Sequence, residues 1–152
     1  MEPRMFSDLD ELRAAMDTPL GESDWVTIDQ PMIDRFAQLT FADHWSHVDV
    51  ERSAASPFGG TIAQGMLVLS LGPPLARRIY TVAGFEQSLN YGFDRVRFVR
   101  PVPVGSRIRV SPTVVAVDES DAGVRVTARL TFEAEGVDGP VCVADMLSHH
   151  RR

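Results

Sequence analysis

Residues 61–80 read TIAQGMLVLSLGPPLARRIY, and the way this run packs decides the fold. It is apolar on nearly every face of a helical projection, which predicts a helix buried on several sides. Pro73 and Pro74 should kink or divide it, because proline lacks an N–H and crowds the preceding turn. Downstream lie four candidate strands, over residues 88–99, 106–117, 124–134 and 141–148. They are separated by PVPVG (101–105), DESDAG (118–123) and GVDGP (136–140), all strong turn signals. Apolar and polar residues alternate in RIRV (107–110) and VRVTARLTF (124–132), as half-buried strands require. Strands joined by short turns run antiparallel. One apolar helix followed by such a meander predicts an α+β arrangement in which a sheet wraps a helix.

Upstream, Ser7 is placed to cap a short helix carrying Leu9, Leu12 and Met16, ended by Thr18-Pro19-Leu20-Gly21. A short strand over 24–28 follows. Asp29 then caps a second helix, with Pro31 in its first turn and Met32, Ile33, Phe36 and Leu39 at helical spacing. Residues 40–60 show no period. They hold Asp43, His44, His47, Asp49 and Glu51 before SPFGG, and a long polar loop is where function concentrates.

A chain of 152 residues fits one domain with a core of its own. The net charge of −6 argues against nucleic acid and anionic membrane as partners. Every basic side chain is Arg and none is Lys. The cluster Arg95, Arg97, Arg100, Arg107 and Arg109 reads as solvated strand surface, with a minority reading in which part of it meets a cofactor phosphate. The single cysteine, Cys142, excludes an internal disulfide and reads as a core thiol. The first residues have no signal-peptide pattern, and no segment is long enough to span a bilayer. The expected location is the cytoplasm.

The string FAQLTFADHWSHVDVERSAASPFGGTIAQGMLVLSL, then NYGFDRVRFVRPVPVGSRIRV, then CVAD, resembles the MaoC-like, (R)-specific enoyl-CoA hydratases, in particular their NodN-like branch. The likeness covers roughly residues 24–146, with several motifs in the family's order. It implies a hotdog fold over residues 23–148: a long central helix wrapped by a curved antiparallel sheet. Residues 1–22 are then a helical extension and 149–152 a disordered tail. It also implies a homodimer with active sites at or near the subunit interface. The implied reaction is reversible addition of water to a trans-2-enoyl thioester, giving a (3R)-hydroxyacyl thioester on coenzyme A or an acyl carrier protein. Neither a metal nor a redox cofactor is implied.

That reaction needs an activated water, a proton for Cα and stabilisation of charge on the thioester oxygen. A carboxylate and an imidazole sharing one water can do the first two, and backbone N–H groups the third. His47, in HVD, matches the family's catalytic His. Gly65 matches the glycine whose N–H meets the thioester oxygen. The family's Asp stands five residues before its His, and that position is Ala42 here. Asp43 follows, four residues before His47, and His44 takes the usual Gln place. Either a small loop shift brings Asp43 into the site or the carboxylate is missing. Gln64 stands where His is frequent, and it cannot transfer a proton at neutral pH. Ser70 could line the pocket or bond back to its own helix. Asn90 and Tyr91 match the family's Asn-Tyr-Gly and brace the site or the dimer. Trp45 covers the acyl tunnel or anchors its loop. His149 and His150 are adjacent, which is not zinc-ligand spacing.

Three functions compete. The first is the hydratase or dehydratase. The second is a repurposed hotdog enzyme, a dehydratase or cyclase on a polyketide-like substrate, prompted by Ala42, His44, Ser46 and Gln64. The third is a non-catalytic acyl-binding protein. A hotdog thioesterase fits the motifs less well.

Overall fold

The computed structural model describes residues 2–151. In chain order the elements are β1 (Arg4–Phe6), α1 (Leu9–Ala14), β2 (Val26–Thr27), α2 (Gln30–Thr40), α3 (Trp45–Val48), α4 (Val50–Ala54), α5 (Gly65–Ser70), α6 (Gly72–Arg77), β3 (Tyr80–Val82), β4 (Gln87–Phe98), β5 (Arg107–Ser120), β6 (Gly123–Ala134) and β7 (Pro140–Arg151). Five strands form one sheet in the order β2-β5-β6-β7-β4, all antiparallel. Bulges at Val114/Ala116, Asn90/Gly92 and Asp94/Arg97 bend the strands and add local twist. The sheet packs against α5 and α6, so the hotdog arrangement expected from the sequence is the one observed.

The central β6 shows why. Val124, Val126, Ala128, Leu130, Phe132 and Ala134 are all buried, while the residues between them are more open. Burying each large side chain contributes ~1.5–3 kcal/mol. Gly72 lets the helix pair approach this face. A Cβ there would lie 2.8 Å from both Leu130 Cδ1 and Phe132 Cζ, inside contact distance.

The central helix starts later than predicted and is divided as the two prolines suggested. Residues 61–64 are not helical; Ala63 N–H donates to the Val102 carbonyl at 2.8 Å, and Ile62 bridges Pro103. Helix begins only at Gly65. It is also divided at Leu71 into α5 and α6, with the two prolines in the first turn of α6. Proline tolerates that position because the first-turn N–H groups have no partner inside the helix.

The N-terminal residues are part of the fold. β1 pairs in parallel with β3, and Phe6 and Leu12 are fully buried in the common core. Residues 17–23 follow the edge of β5, with Asp17, Leu20 and Ser23 donating N–H groups to Val114, Pro112 and Val110. The cap of α1 is Asp8, which accepts from Glu11 N at 2.8 Å, one residue after the expected Ser7. Asp29 caps α2 as expected, accepting from Met32 N.

The expected disordered tail is corrected by the structure. His149, His150 and Arg151 continue β7, paired to β4 on one side and, through His150 and His149, to β6 on the other. A strand held on both sides persists whatever its surface composition, because most of its N–H and C=O groups are matched. Arg152 lies outside the described residues. No described helix is long and apolar enough to cross a membrane.

Candidate active site

α2 leads to the site and stops abruptly. Its C-cap, Phe41, has φ 60° in the left-handed region and is 86% exposed. That conformation costs a non-glycine residue ~1–2 kcal/mol, and here it turns the chain toward α3. His44 Nδ1 faces the N-terminus of α3, 2.9 Å from Ser46 Oγ and 3.4 Å from Ser46 N. Asp49 caps α4 through Arg52 N.

α3 places His47 against the segment that leads into α5. The His47 Nδ1 lies 2.7 Å from the Ile62 carbonyl oxygen. A carbonyl can only accept, so Nδ1 carries the hydrogen and a neutral ring has a bare Nε2. Ile62 N–H donates in return to the Ser46 carbonyl at 2.9 Å. His47 and Gly65 line one cleft of about 250 Å³, together with Ile62, Phe98, Arg100 and Val102. The half-buried imidazole and the first residue of α5 therefore meet across one open space, as the motif reading requires.

Gly65 is fixed sterically. A Cβ there would lie 2.9 Å from Phe98 Cγ and Cδ1. No side chain caps α5, so none competes for the N–H groups of its first turn. The residue ahead, Gln64, is buried and turned inward; its Nε2 donates to the Ile33 and Ala42 carbonyls at 3.2 and 3.3 Å. Its Oε1 is buried without a partner. Gln64 thus latches the end of α2 to the start of α5 rather than lining the cleft.

Asp43 is not drawn in. It is exposed, it does not line the cleft, and no hydrogen bond or ion pair joins it to His47. Trp45 stacks instead with Arg52, whose guanidinium carbon sits 4.4 Å from the ring centre, and with His44 at 5.3 Å. It anchors its loop. Ser70 is exposed and donates back to the Leu67 carbonyl at 2.8 Å. Asn90 and Tyr91 lie near the opposite end of β4, on the order of 25 Å from Phe98 by strand rise. There Asn90 borders a second cavity of about 270 Å³ with Tyr80, Met146, Ser148 and His150. Within one chain, then, the structure unites His47 with Gly65 and leaves Asn90 and Tyr91 apart.

Of the arginine cluster, only Arg100 lines the cleft. Arg107 pairs with Glu135, and Arg109 with Glu133 and Glu22. Cys142 lies against the cleft but is 1% exposed, and burial pushes its thiol up to about 11, which suits a core thiol and not a nucleophile. Sequence reasoning missed Phe98, whose ring sets the glycine requirement, and Gln30 and Thr61, which hold α3. Among the described residues, no cluster of three or more His, Cys, Asp or Glu could hold a metal ion.

Comparison with known proteins agrees with this layout. The family described as MaoC like domain matches residues 11–135. The 3-hydroxyacyl-thioester dehydratase Z of Mycobacterium tuberculosis is 46% identical over 145 residues, covering 95% of this chain and 96% of the relative. Nodulation protein N of Rhizobium leguminosarum bv. viciae is 41% identical over 140 residues, covering 85% and 82%. The solved structure of the (R)-hydratase PhaJ1 from Pseudomonas aeruginosa superposes with a TM-score of 0.71 at 20% identity, over 87% of this chain and 79% of that one. The last likeness supports the fold alone.

Proposed function

Because this chain belongs to the MaoC-like domain family, we propose that it is a hydro-lyase that adds water reversibly to an enoyl thioester, giving the (3R)-hydroxyacyl thioester. The observation that carries this reading is the shared cleft of His47 and Gly65. With Nδ1 committed to the Ile62 carbonyl, Nε2 accepts a proton from water as its oxygen bonds to Cβ. The Gly65 N–H stabilises the charge that gathers on the thioester oxygen. Delivery to Cα of the proton that Nε2 took from water completes the addition. Asp43 is exposed outside the cleft, and it serves as the second proton carrier once the loop ahead of α3 shifts toward His47. Arg100, exposed at the cleft, suits a phosphate of the carrier, coenzyme A or the prosthetic arm of an acyl carrier protein.

The functional unit is a homodimer. The support is β4, a twelve-residue edge strand bearing exposed Leu89, Tyr91 and Phe98. Such an edge invites pairing with a second copy. The expected location is the cytoplasm.

Crotonyl-CoA hydration, followed by loss of enoyl absorbance, tests the reading. Turnover is expected, with Asp43→Asn losing about tenfold to a hundredfold. Folded protein at high concentration without turnover above buffer overturns it. The exposed, unpartnered Asp43 also favours a second reading, an acyl-binding or repurposed hotdog protein. Substrate binding without turnover would select that reading.

A further inference from the structure

Gln30 opens α2, and its first-turn position suggests a solvated polar residue. Its side chain instead reaches across to the His47 segment. Nε2 donates to the His47 carbonyl at 2.9 Å and to Asp34 Oδ1 at 2.8 Å. The Thr61 hydroxyl donates to Gln30 Oε1. These contacts fix the amide's orientation. Both Nε2 partners are pure acceptors, and a flipped amide would press its oxygen against a carbonyl and a carboxylate. Thr61 is 1% exposed, so its hydroxyl has no solvent to turn to, and its loss of a partner would be costly.

The consequence lies in what Gln30 connects. His47 supplies the imidazole. Thr61 begins the four residues that lead into Gly65. The two segments are already cross-linked by Ile62, whose N–H meets Ser46 and whose carbonyl meets the His47 ring. Gln30 adds a third link, which passes through α2, a separate element anchored in the core by Ile33 and also tied to Gln64. We propose that Gln30, backed by Thr61, is a positioning residue that sets the distance and angle between the His47 imidazole and the Gly65 N–H. This rests on the reading of His47 as the proton-transferring group. Misplacement by about 1 Å can reduce turnover on the order of a hundredfold, so a side chain that touches no substrate can still govern kcat.

The test uses the full chain and two near-isosteric variants. Gln30→Glu keeps an acceptor for Thr61 but cannot donate to the His47 carbonyl; Thr61→Val removes the hydroxyl alone. With crotonyl-CoA, kcat should fall about tenfold in Gln30→Glu and about threefold in Thr61→Val, with KM within about twofold, because the reacting groups and not the binding walls have moved. The nitrogen NMR signals of the His47 ring should report a single Nδ1–H tautomer in the wild type and a mixture in Gln30→Glu. Circular dichroism establishes that each variant is folded, and Thr61→Val decides the matter if Gln30→Glu does not fold. Folded variants with wild-type kcat and an unchanged His47 tautomer overturn the proposal. If the wild type itself turns over no substrate, the hydratase reading fails, while the NMR comparison still tests Gln30.

Discussion

β4 and β7 run side by side, and a histidine marks each end of the pair. At the end formed by Phe98 and Cys142, His47 is half-buried, with one ring nitrogen tied to a main-chain carbonyl and the other bare. At the end formed by Ser88 and Arg151, His150 is 8% exposed. Its Nε2 lies 2.9 Å from Ser148 Oγ, its Nδ1 is buried without a partner, and its ring packs 5.2 Å from that of Phe85. Burial first, and the neighbouring His149 second, lower its pKa. Both residues border open space. The difference teaches that a cavity and a histidine do not by themselves make an acid–base site. What distinguishes His47 is an orienting acceptor on one nitrogen, solvent access for the ring, and a nearby N–H donor to meet developing charge.

The sharpest way to break the comparison is to remove each histidine in turn. His47→Ala should lower kcat/KM for crotonyl-CoA by about a hundred- to ten-thousandfold, whereas His150→Asn should leave it within about twofold. Equal losses, measured in the same steady-state assay, would erase the distinction. The next effect concerns the N–H donor. Gly65→Ala must displace the Phe98 ring and should cost about tenfold in kcat, in line with small misplacements. Gly65→Ala combined with Phe98→Ala should recover part of that loss, a coupling that a double-mutant cycle measures. Additive losses would show that the ring does not set the geometry.

The smallest effect is on stability. A histidine whose folded pKa lies below its unfolded value of about 6.5 takes up protons more readily when unfolded. His150 therefore contributes no pH dependence well above that value, and stability falls as pH drops through and below it. Urea midpoints between pH 7.5 and 5 should decline, and His150→Asn should flatten part of that slope. An unchanged slope in the variant would assign the acid sensitivity to other groups.

The sheet was legible in the sequence because its signal is local. RIRV and VRVTARLTF alternate with the period of a strand, and Gly- or Pro-bearing turns separate the strands. The division of the central helix was equally plain from Pro73 and Pro74. β1 was not legible, since three residues hold no period and their partner is distant in sequence. The HHRR ending suggested a tail, yet pairing on both sides of β7 outweighs composition. His47 and Gly65 were visible as a motif, and the structure brings them together. Gln30 was invisible, because a polar side chain in a helix's first turn gives no sign of whether it faces water or reaches inward. Asp43 remained ambiguous in the sequence because the one-residue offset from the family pattern sits in an aperiodic loop, where spacing does not determine direction.

The parallel pairing of β1 with β3 carries a consequence for biosynthesis. Arg4–Phe6 is made well before its partner Tyr80–Val82, a wait of several seconds at about 5–20 residues per second. Throughout that interval Phe6, fully enclosed in the finished molecule, has no strand to join. An early-made strand must thus await a late-made one, and growth of the nascent chain sets when the core can close around Phe6.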